Sequence, residues 1–128
     1  MIRDKEKLIY PELSYDVVGI LFDTHNQLGG ALKEKHYQRA VAKLLKEKGI
    51  AFEEQYMIPV KLGEKEVGKY FFDFLIEDRL ILEIKVGRLK KEYFDQLHSY
   101  IKTSGKKLGI LAIFTENEVK FRRILNIY

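Results

Sequence analysis

Two short apolar segments, separated by three residues, constrain the fold of this chain more than any other part of its sequence. They are residues 70–76 and 80–86. Segments of this length that are apolar on both faces are typical of strands buried within a sheet. Three charged residues interrupt them, namely Asp73, Glu83 and Lys85. Because burying an unpaired charge costs several kcal/mol, we expect these residues to have partners or a function.

The spacing of apolar residues elsewhere predicts an α/β fold in which helices flank a mixed central β-sheet. Helices are predicted over residues 14–28, 34–49 and 89–103. Strands are predicted over residues 52–61, 66–76, 80–86, 108–114 and 119–127. Ser14 is the expected N-cap of the first helix. Since a helix precedes it, the fourth strand should be central and parallel to a neighbour, and the basic fifth strand should lie at an edge.

Length and composition favour one globular domain. A chain of 128 residues that is 46% hydrophobic can fill one core, and residues 1–13 are expected to form an N-terminal extension of this domain. The sequence has no cysteine for disulfides or thiolate zinc sites. It has no apolar run long enough for a bilayer and no signal peptide, so we expect a cytoplasmic protein without a membrane partner. A net charge of +4 permits nucleic-acid binding without requiring it.

The charged residues of the two apolar segments match the needs of a metal-dependent hydrolytic site. If the connecting turn holds three residues, Asp73 lies opposite Glu83, with Cβ atoms about 5 Å apart. Two carboxylates this close repel each other, whereas a divalent cation between them reverses the sign of the interaction. Lys85 can then neutralise a phosphate or orient an attacking water. Strict alternation along the strand also predicts that Asp73 shares a face with Phe71 and Leu75.

A surface ion network is the alternative explanation of these charges. Asp73, Lys85 and Glu83 could pair across an exposed hairpin, where such pairs contribute little to stability. Apolar side chains flank the charges on both segments, however, and leave no obvious face for solvent. We therefore favour the functional interpretation, because of the cost of burying these charges.

Two helices supply further candidate residues. Glu34 and Tyr37 are three residues apart and Val41 continues their face, so Glu34 should point toward the core side. A glutamate in a first helical turn also stabilises the helix dipole, which explains Glu34 equally well. Gln96 and Tyr100 are four residues apart and should meet on one face. The glutamine there either binds a phosphate or a bound water, or only caps a packed tyrosine.

The order of these residues resembles the motifs of a known family. Asp73 followed by Glu83-Ile84-Lys85 resembles the split acidic motif of the PD-(D/E)xK nuclease superfamily. Residues 96–100 are similar to the Gln-x-x-x-Tyr motif of its RecB-like exonuclease members. Residues 28–37 resemble the signature of the GxxExxY proteins, as does the apolar strand over residues 109–114.

The resemblance implies a restriction-endonuclease-like core and a site for phosphodiester hydrolysis. It implies that Asp73, Glu83 and the carbonyl group of Ile84 hold Mg²⁺ or Mn²⁺. Lys85 is then expected to orient or activate the attacking water and to stabilise charge on the phosphate.

The resemblance also implies roles for residues on the helices. Glu34 is expected to support a metal-bound water, and Gln96 and Tyr100 are expected to position the substrate. The sequence departs from the pattern at two places. Ala31 stands where the signature has its first glycine, so the start of the helix is expected to differ slightly, and Phe72 replaces the proline before the aspartate. Neither departure changes a charged catalytic position.

The expected function is therefore that of a Mg²⁺-dependent nuclease, a hydrolase acting on phosphodiester bonds in DNA. A domain of this size has little surface for sequence-specific readout, so a homodimer that makes two cuts is one expected arrangement. The alternative is a non-catalytic nucleic-acid-binding or protein-interaction module on the same fold. Metal-dependent cleavage of DNA distinguishes the first function from the alternative.

Overall fold

The computed structural model describes residues 9–126, which form three α-helices and five β-strands. The helices are α1 (Pro11–Leu28), α2 (Glu34–Glu47) and α3 (Lys91–Ser104). The strands are β1 (Phe52–Leu62), β2 (Lys65–Ile76), β3 (Leu80–Val86), β4 (Leu108–Phe114) and β5 (Val119–Leu125). Among the described residues, no helix is long and apolar enough to cross a membrane.

The strands form one mixed sheet in the order β1-β2-β3-β4-β5. β3 and β4 are parallel, and the other three neighbouring pairs are antiparallel. The parallel pair is the one that α3 connects, because a parallel strand can only be reached by a crossover. The predicted mixed sheet, the parallel β4 and the edge position of β5 are confirmed.

Helices cover both faces of the sheet, so the core has two parts. On one face α1 and α2 pack on the sheet in a cluster that includes Val17, Tyr37, Phe74, Leu82 and Ile110. On the other face α3 packs in a cluster that includes Phe72, Leu75, Ile81, Leu97 and Leu111. Because β3 and β4 carry core residues on both faces, almost all of their side chains are buried, as their apolar sequences predict.

The start of α1 differs from the prediction. The helix begins at Pro11 and not after Ser14, so residues 11–13 form its first turn. Proline suits this position because its missing N–H would have no helical acceptor there. Ser14 is buried inside the helix, and its hydroxyl has no hydrogen-bond partner among the described residues. The predicted N-cap is therefore wrong, and residues 1–8 of the predicted extension lie outside the described part of the chain.

The other boundaries agree with the prediction to within a few residues. α3 begins at Lys91, and Leu89 precedes it in a loop that still packs against the core. β5 ends at Leu125 in the structure. The predicted end of this strand at residue 127 lies outside the described residues.

A tight loop fixes the entry into α2. Ala31 has a φ of 65°, in the left-handed region that glycine adopts most readily. A Cβ atom on Gly30 would lie 2.4 Å from the backbone of Glu116, so only glycine fits where this loop meets the turn before β5. The Tyr37 hydroxyl donates to the carbonyl oxygen of Gly29 at 2.7 Å, and its ring stacks on that of Phe114. These contacts hold the first turn of α2 against the sheet.

Candidate active site

The candidate site lies where the hydrogen-bond ladder between β2 and β3 stops. The last backbone pair is Phe74 with Leu82, and the same register places Asp73 opposite Glu83, as the three-residue turn predicts. Beyond this pair, hydrogen bonds to side chains take the place of the backbone hydrogen bonds between β2 and β3. The Asp73 N–H donates to Glu83 Oε1 at 2.6 Å, and the Ile84 N–H donates to Asp73 Oδ2 at 2.7 Å. The two carboxylates therefore fill a gap between the strands and accept hydrogen bonds from the Asp73 and Ile84 N–H groups.

The alternation of side chains breaks at the same place. Phe72 packs on the α3 side of the sheet and Phe74 on the opposite side, although residues two apart in a strand normally share a face. β1 changes faces in the same way around Gln55, which has a φ of 51°. Leu75 joins Phe72 on the α3 side, so the prediction that strict alternation runs through Asp73 is wrong. A left-handed glutamine is uncommon, and the sequence carries no signal for it.

Asp73 is half-buried and held by several donors. Besides the Ile84 N–H, which donates to its carboxyl group, the side chains of Gln38 and Gln55 act on this carboxyl and lower its pKa. Burial raises the pKa of this carboxyl above its usual value, because the charged form loses hydration. The hydrogen bonds and the charge of Lys85 act in the opposite direction without cancelling that effect.

Glu83 is more deeply buried, with 3% of its surface exposed. Its Oε2 accepts a hydrogen bond from the Tyr70 hydroxyl at 2.8 Å, while Oε1 accepts from the backbone of Asp73. Burial and then the nearby charge of Asp73 raise the pKa of Glu83 to about 7. Near neutral pH the two carboxyl groups therefore resist carrying two negative charges at once.

Glu34 and Lys85 complete the cluster from two different elements. Burial raises the pKa of Glu34, the charge of Lys85 lowers it, and the charge of Asp73 raises it further. Gln38 donates to Glu34 Oε2 at 3.4 Å and also contacts Asp73, so α2 reaches the carboxylate pair through two side chains. The Lys85 ammonium group lies 5.3 Å from the centre of the Tyr93 ring. Glu34, Asp73 and Lys85 are thus electrostatically coupled.

The two candidate residues of α3 have different surroundings. The Tyr100 ring stacks on the ring of Tyr70, with 3.9 Å between the ring centroids and 18° between the planes. Tyr100 therefore reaches the carboxylates through Tyr70. Gln96 is exposed, and among residues 9–126 it forms no hydrogen bond with any member of the cluster. The structure brings Tyr100 to the cluster and does not bring Gln96 there.

Three residues of the cluster were not among the sequence candidates, namely Gln38, Gln55 and Tyr70. Gln38 lies four residues after Glu34, so helical spacing alone could have suggested it. Tyr70 lies in the same apolar segment as Asp73, but its hydroxyl lies on the same side of the sheet as Glu83 only because β2 changes faces at Asp73. No pattern in the sequence indicates Gln55.

The mixed sheet, the flanking helices and the acidic gap define a restriction-endonuclease-like fold. The chain belongs to the PD-(D/E)XK nuclease superfamily, because the model of this family matches residues 11–124, nearly the whole described chain. A search of curated proteins finds no significant match.

Solved structures share the fold at low sequence identity. The crystal structure of SSO0001 has a TM-score of 0.58 and 21% identity, over 72% of this chain and 49% of that one. An alkaline exonuclease from Laribacter hongkongensis has a TM-score of 0.51 and 19% identity, over 72% of this chain and 54% of that one. The chain thus corresponds to about half the length of each, and these likenesses establish the fold.

Proposed function

We propose that this protein is a metal-dependent nuclease that hydrolyses phosphodiester bonds in DNA. One observation carries the proposal above all others. Two carboxylates, the half-buried Asp73 and the buried Glu83, face each other in a gap of the sheet and are electrostatically coupled to Lys85 and Glu34. Membership of a nuclease superfamily supports the same conclusion.

The donor set of the gap fits a hard divalent cation. Burial raises the pKa values of Asp73 and Glu83, and the charge of Asp73 raises the pKa of Glu83 further. A cation between the two carboxylates would offset these effects. Within residues 9–126 no three His, Cys, Asp or Glu side chains form a metal cage. Mg²⁺ is commonly held by one or two carboxylates together with water and substrate, so the Asp73–Glu83 pair itself suits this cation.

Ile84 is a candidate for one further oxygen ligand. Its N–H points across the gap to Asp73. Since the N–H and C=O of one strand residue project toward the same neighbour, its carbonyl oxygen should face the gap as well. We infer that the Ile84 carbonyl, Asp73 and Glu83 together hold Mg²⁺ or Mn²⁺.

The side chains around the gap divide the work of hydrolysis. A bound cation would supply Lewis-acid polarisation of the phosphate and an activated water. Lys85 places a positive charge beside the site, where it stabilises negative charge that develops on the phosphate. Glu34, with its raised pKa, is suited to orient the attacking water and to accept its proton. Gln38 fixes Glu34 relative to Asp73.

Basic residues on α2 support a nucleic-acid substrate. Lys35, Arg39, Lys43 and Lys46 are all exposed and follow one another at helical spacing along the helix that carries Glu34. The last three line an open depression of about 910 Å³ between α2 and the start of β1. A stripe of this kind can follow a phosphate backbone away from the site.

We also assign the chain to the GxxExxY group within the superfamily. Ala31 adopts the left-handed conformation that the first glycine of the signature would favour, so the departure at this position leaves the loop intact. Glu34 lies at the carboxylate pair. Tyr37 is buried and closes the loop before α2. These positions support a catalytic role for Glu34 and structural roles for Ala31 and Tyr37.

Cleavage assays with two variants test the function. Wild-type protein should cut DNA in the presence of Mg²⁺ or Mn²⁺ and lose this activity in EDTA. Asp73→Asn keeps an oxygen that can accept the Ile84 N–H, so it should remain folded. Asp73→Asn and Lys85→Ala should each lower the cleavage rate by at least about a hundredfold.

Lys61→Ala is the matched control for Lys85→Ala, because Lys61 is an exposed lysine in the same sheet, on β1. Its cleavage rate should equal that of the wild type. The nuclease function is excluded if the wild type cuts no single- or double-stranded DNA with either metal, or if both site variants cut at the wild-type rate. Salt-dependent DNA binding without any cleavage would instead favour the non-catalytic nucleic-acid-binding module.

A further inference from the structure

Both oxygens of the Glu83 carboxylate have defined donors. The Asp73 N–H holds Oε1 and the Tyr70 hydroxyl holds Oε2, at 2.6 and 2.8 Å. Two donors on one carboxylate fix both its position and the rotation of its plane. The backbone contact is part of the sheet, so Tyr70 is the side chain that sets this orientation.

The Tyr70 ring is itself held in place by aromatic neighbours. It stacks on Tyr100 of α3, with ring centroids 3.9 Å apart. It also packs edge-to-face with Phe72, with ring centroids 5.1 Å apart. Aromatic pairs at these distances restrict ring rotation in addition to burying apolar surface. A continuous chain of contacts therefore runs from α3 through Tyr70 to Glu83.

The protonation of Tyr70 agrees with a donor role. Burial and the charge of Glu83 both raise the pKa of Tyr70 above its usual value. The hydroxyl therefore keeps its proton at neutral pH and donates a hydrogen bond to the Glu83 carboxylate.

We propose that Tyr70 is a positioning residue that aims Glu83 at the metal, and that Tyr100 acts through Tyr70 by stacking. This inference rests on the proposed nuclease function. It gives Tyr100 a different role from the substrate contact that the Gln-x-x-x-Tyr motif implies. Residues that hold a ligating carboxylate in place are as much a part of a metal site as its ligands, because they determine where its oxygens point.

Titration calorimetry with Mn²⁺ on the purified full chain tests the inference directly. Tyr70→Phe keeps the ring and its stack but removes the donor, and should weaken Mn²⁺ binding roughly ten- to hundredfold. Tyr100→Leu removes the stack and should also weaken binding, whereas Tyr100→Phe keeps the stacked ring and should bind Mn²⁺ nearly as the wild type does. Adding Tyr100→Leu to Tyr70→Phe should cause little further loss, because both changes disturb the same contact with Glu83.

Tyr56→Phe provides the matched control. Tyr56 is a partly buried tyrosine that packs in the same cluster on β1, and its hydroxyl forms no hydrogen bond among the described residues. This variant should bind Mn²⁺ as the wild type does. Thermal melts in EDTA identify any variant that is not folded at the titration temperature, and Tyr100→Phe then tests the stacking contact in a conservative form.

The outcomes separate this inference from the proposed function. If the wild type binds Mn²⁺ and cuts DNA but Tyr70→Phe binds the metal equally well, Tyr70 has no positioning role and the nuclease function stands. If the double variant loses the full sum of both single losses, Tyr100 does not act through Tyr70. If the wild type neither binds Mn²⁺ nor cuts DNA, the proposed function and the inference both fail.

Discussion

Strand β3 bonds to its two neighbours in different ways. On one side all of its residues, Leu80–Val86, lie in parallel register with Leu108–Phe114 of β4. On the other side only three backbone pairs join it to β2. Beyond them, the Asp73 and Glu83 carboxylates accept hydrogen bonds from backbone N–H groups across the gap. The same strand thus has one continuous edge and one interrupted edge.

The difference separates stability from function. Along the continuous edge, β3 and β4 lie between two apolar clusters, and nearly all of their side chains are buried. The interrupted edge has two like-charged carboxyl groups with raised pKa values, which is a cost that a plain ladder would avoid. Its backbone groups still have partners, because the carboxylates accept the N–H groups that face the gap. We infer that the continuous edge supplies the stability that the interrupted edge lacks.

A cavity on the continuous edge should have the largest effect. Ile110 lies opposite Leu82 and is fully buried. Ile110→Ala should lower the free energy of unfolding by about 2–5 kcal/mol, because it removes apolar contacts and leaves a cavity. Urea unfolding measures this loss.

Val67→Ala is the control for this variant, because Val67 is a branched residue of the same sheet but is 56% exposed. It should change stability little. The folded Ile110→Ala protein should still bind Mn²⁺, and loss of binding there would show that the two edges of β3 are not independent.

The pH dependence of the free energy of unfolding tests how much the charged carboxylate of Glu83 destabilises the folded protein. Folding raises the pKa of Glu83 from 4.5 to about 7, so the folded state favours the neutral carboxyl group. This contribution is fully present below about pH 4.5 and is lost as the pH rises through about 7. In EDTA the wild type should therefore lose about 3 kcal/mol over this interval relative to Glu83→Gln, which does not titrate at this position.

Urea unfolding of the two proteins at a series of pH values measures this difference directly. The glutamine keeps an acceptor for the Asp73 N–H and can pair with the Tyr70 hydroxyl, so its own contacts remain. Parallel stability curves for the wild type and Glu83→Gln would contradict the raised pKa. Adding Mn²⁺ near pH 8 should stabilise the wild type and leave Glu83→Gln nearly unchanged.

The smallest expected effect concerns the backbone strain opposite Asp73. Gln55 has a left-handed φ of 51°, and its amide contacts the Asp73 carboxyl. Gln55→Gly and Gln55→Ala both remove the amide, but only glycine also relieves the strain. The glycine variant should therefore be about 1 kcal/mol more stable than the alanine variant, as thermal melts can measure.

Mn²⁺ affinity should behave differently from stability in this pair. Both variants lose the side-chain amide that acts on the Asp73 carboxyl, so both should bind the metal more weakly and to a similar degree. If Gln55→Gly gains stability and keeps full metal affinity, the strained glutamine has no role at the site.

Much of the fold follows from local sequence patterns. The three-residue turn and the two apolar segments predict that Asp73 lies opposite Glu83, because strand register is set by turn length. The helix before β4 predicts that this strand is parallel to its neighbour. Helical spacing also predicts that Glu34 faces the sheet, where it is coupled to Lys85.

Other features could not be read in this way because they depend on distant contacts. Serine is a common N-cap residue, but the helix already begins at Pro11 and Ser14 is buried within it. Gln96 and Tyr100 share a helical spacing, but only Tyr100 meets an aromatic partner from the sheet. Local patterns state which residues share a face and leave open what lies opposite that face.

The sequence by itself determined the strands, the turn between them and the two acidic residues that face each other, because these depend on periodicity and turn length. Only the tertiary structure decided how the charges are accommodated. The backbone pairing of β2 and β3 ends before Asp73. Gln55 on the neighbouring strand β1 adopts a left-handed backbone conformation, and the Tyr70 hydroxyl donates a hydrogen bond to Glu83. Each of these features requires groups that are distant along the chain to meet, because a buried carboxylate must find its hydrogen-bond donors wherever the folded backbone provides them.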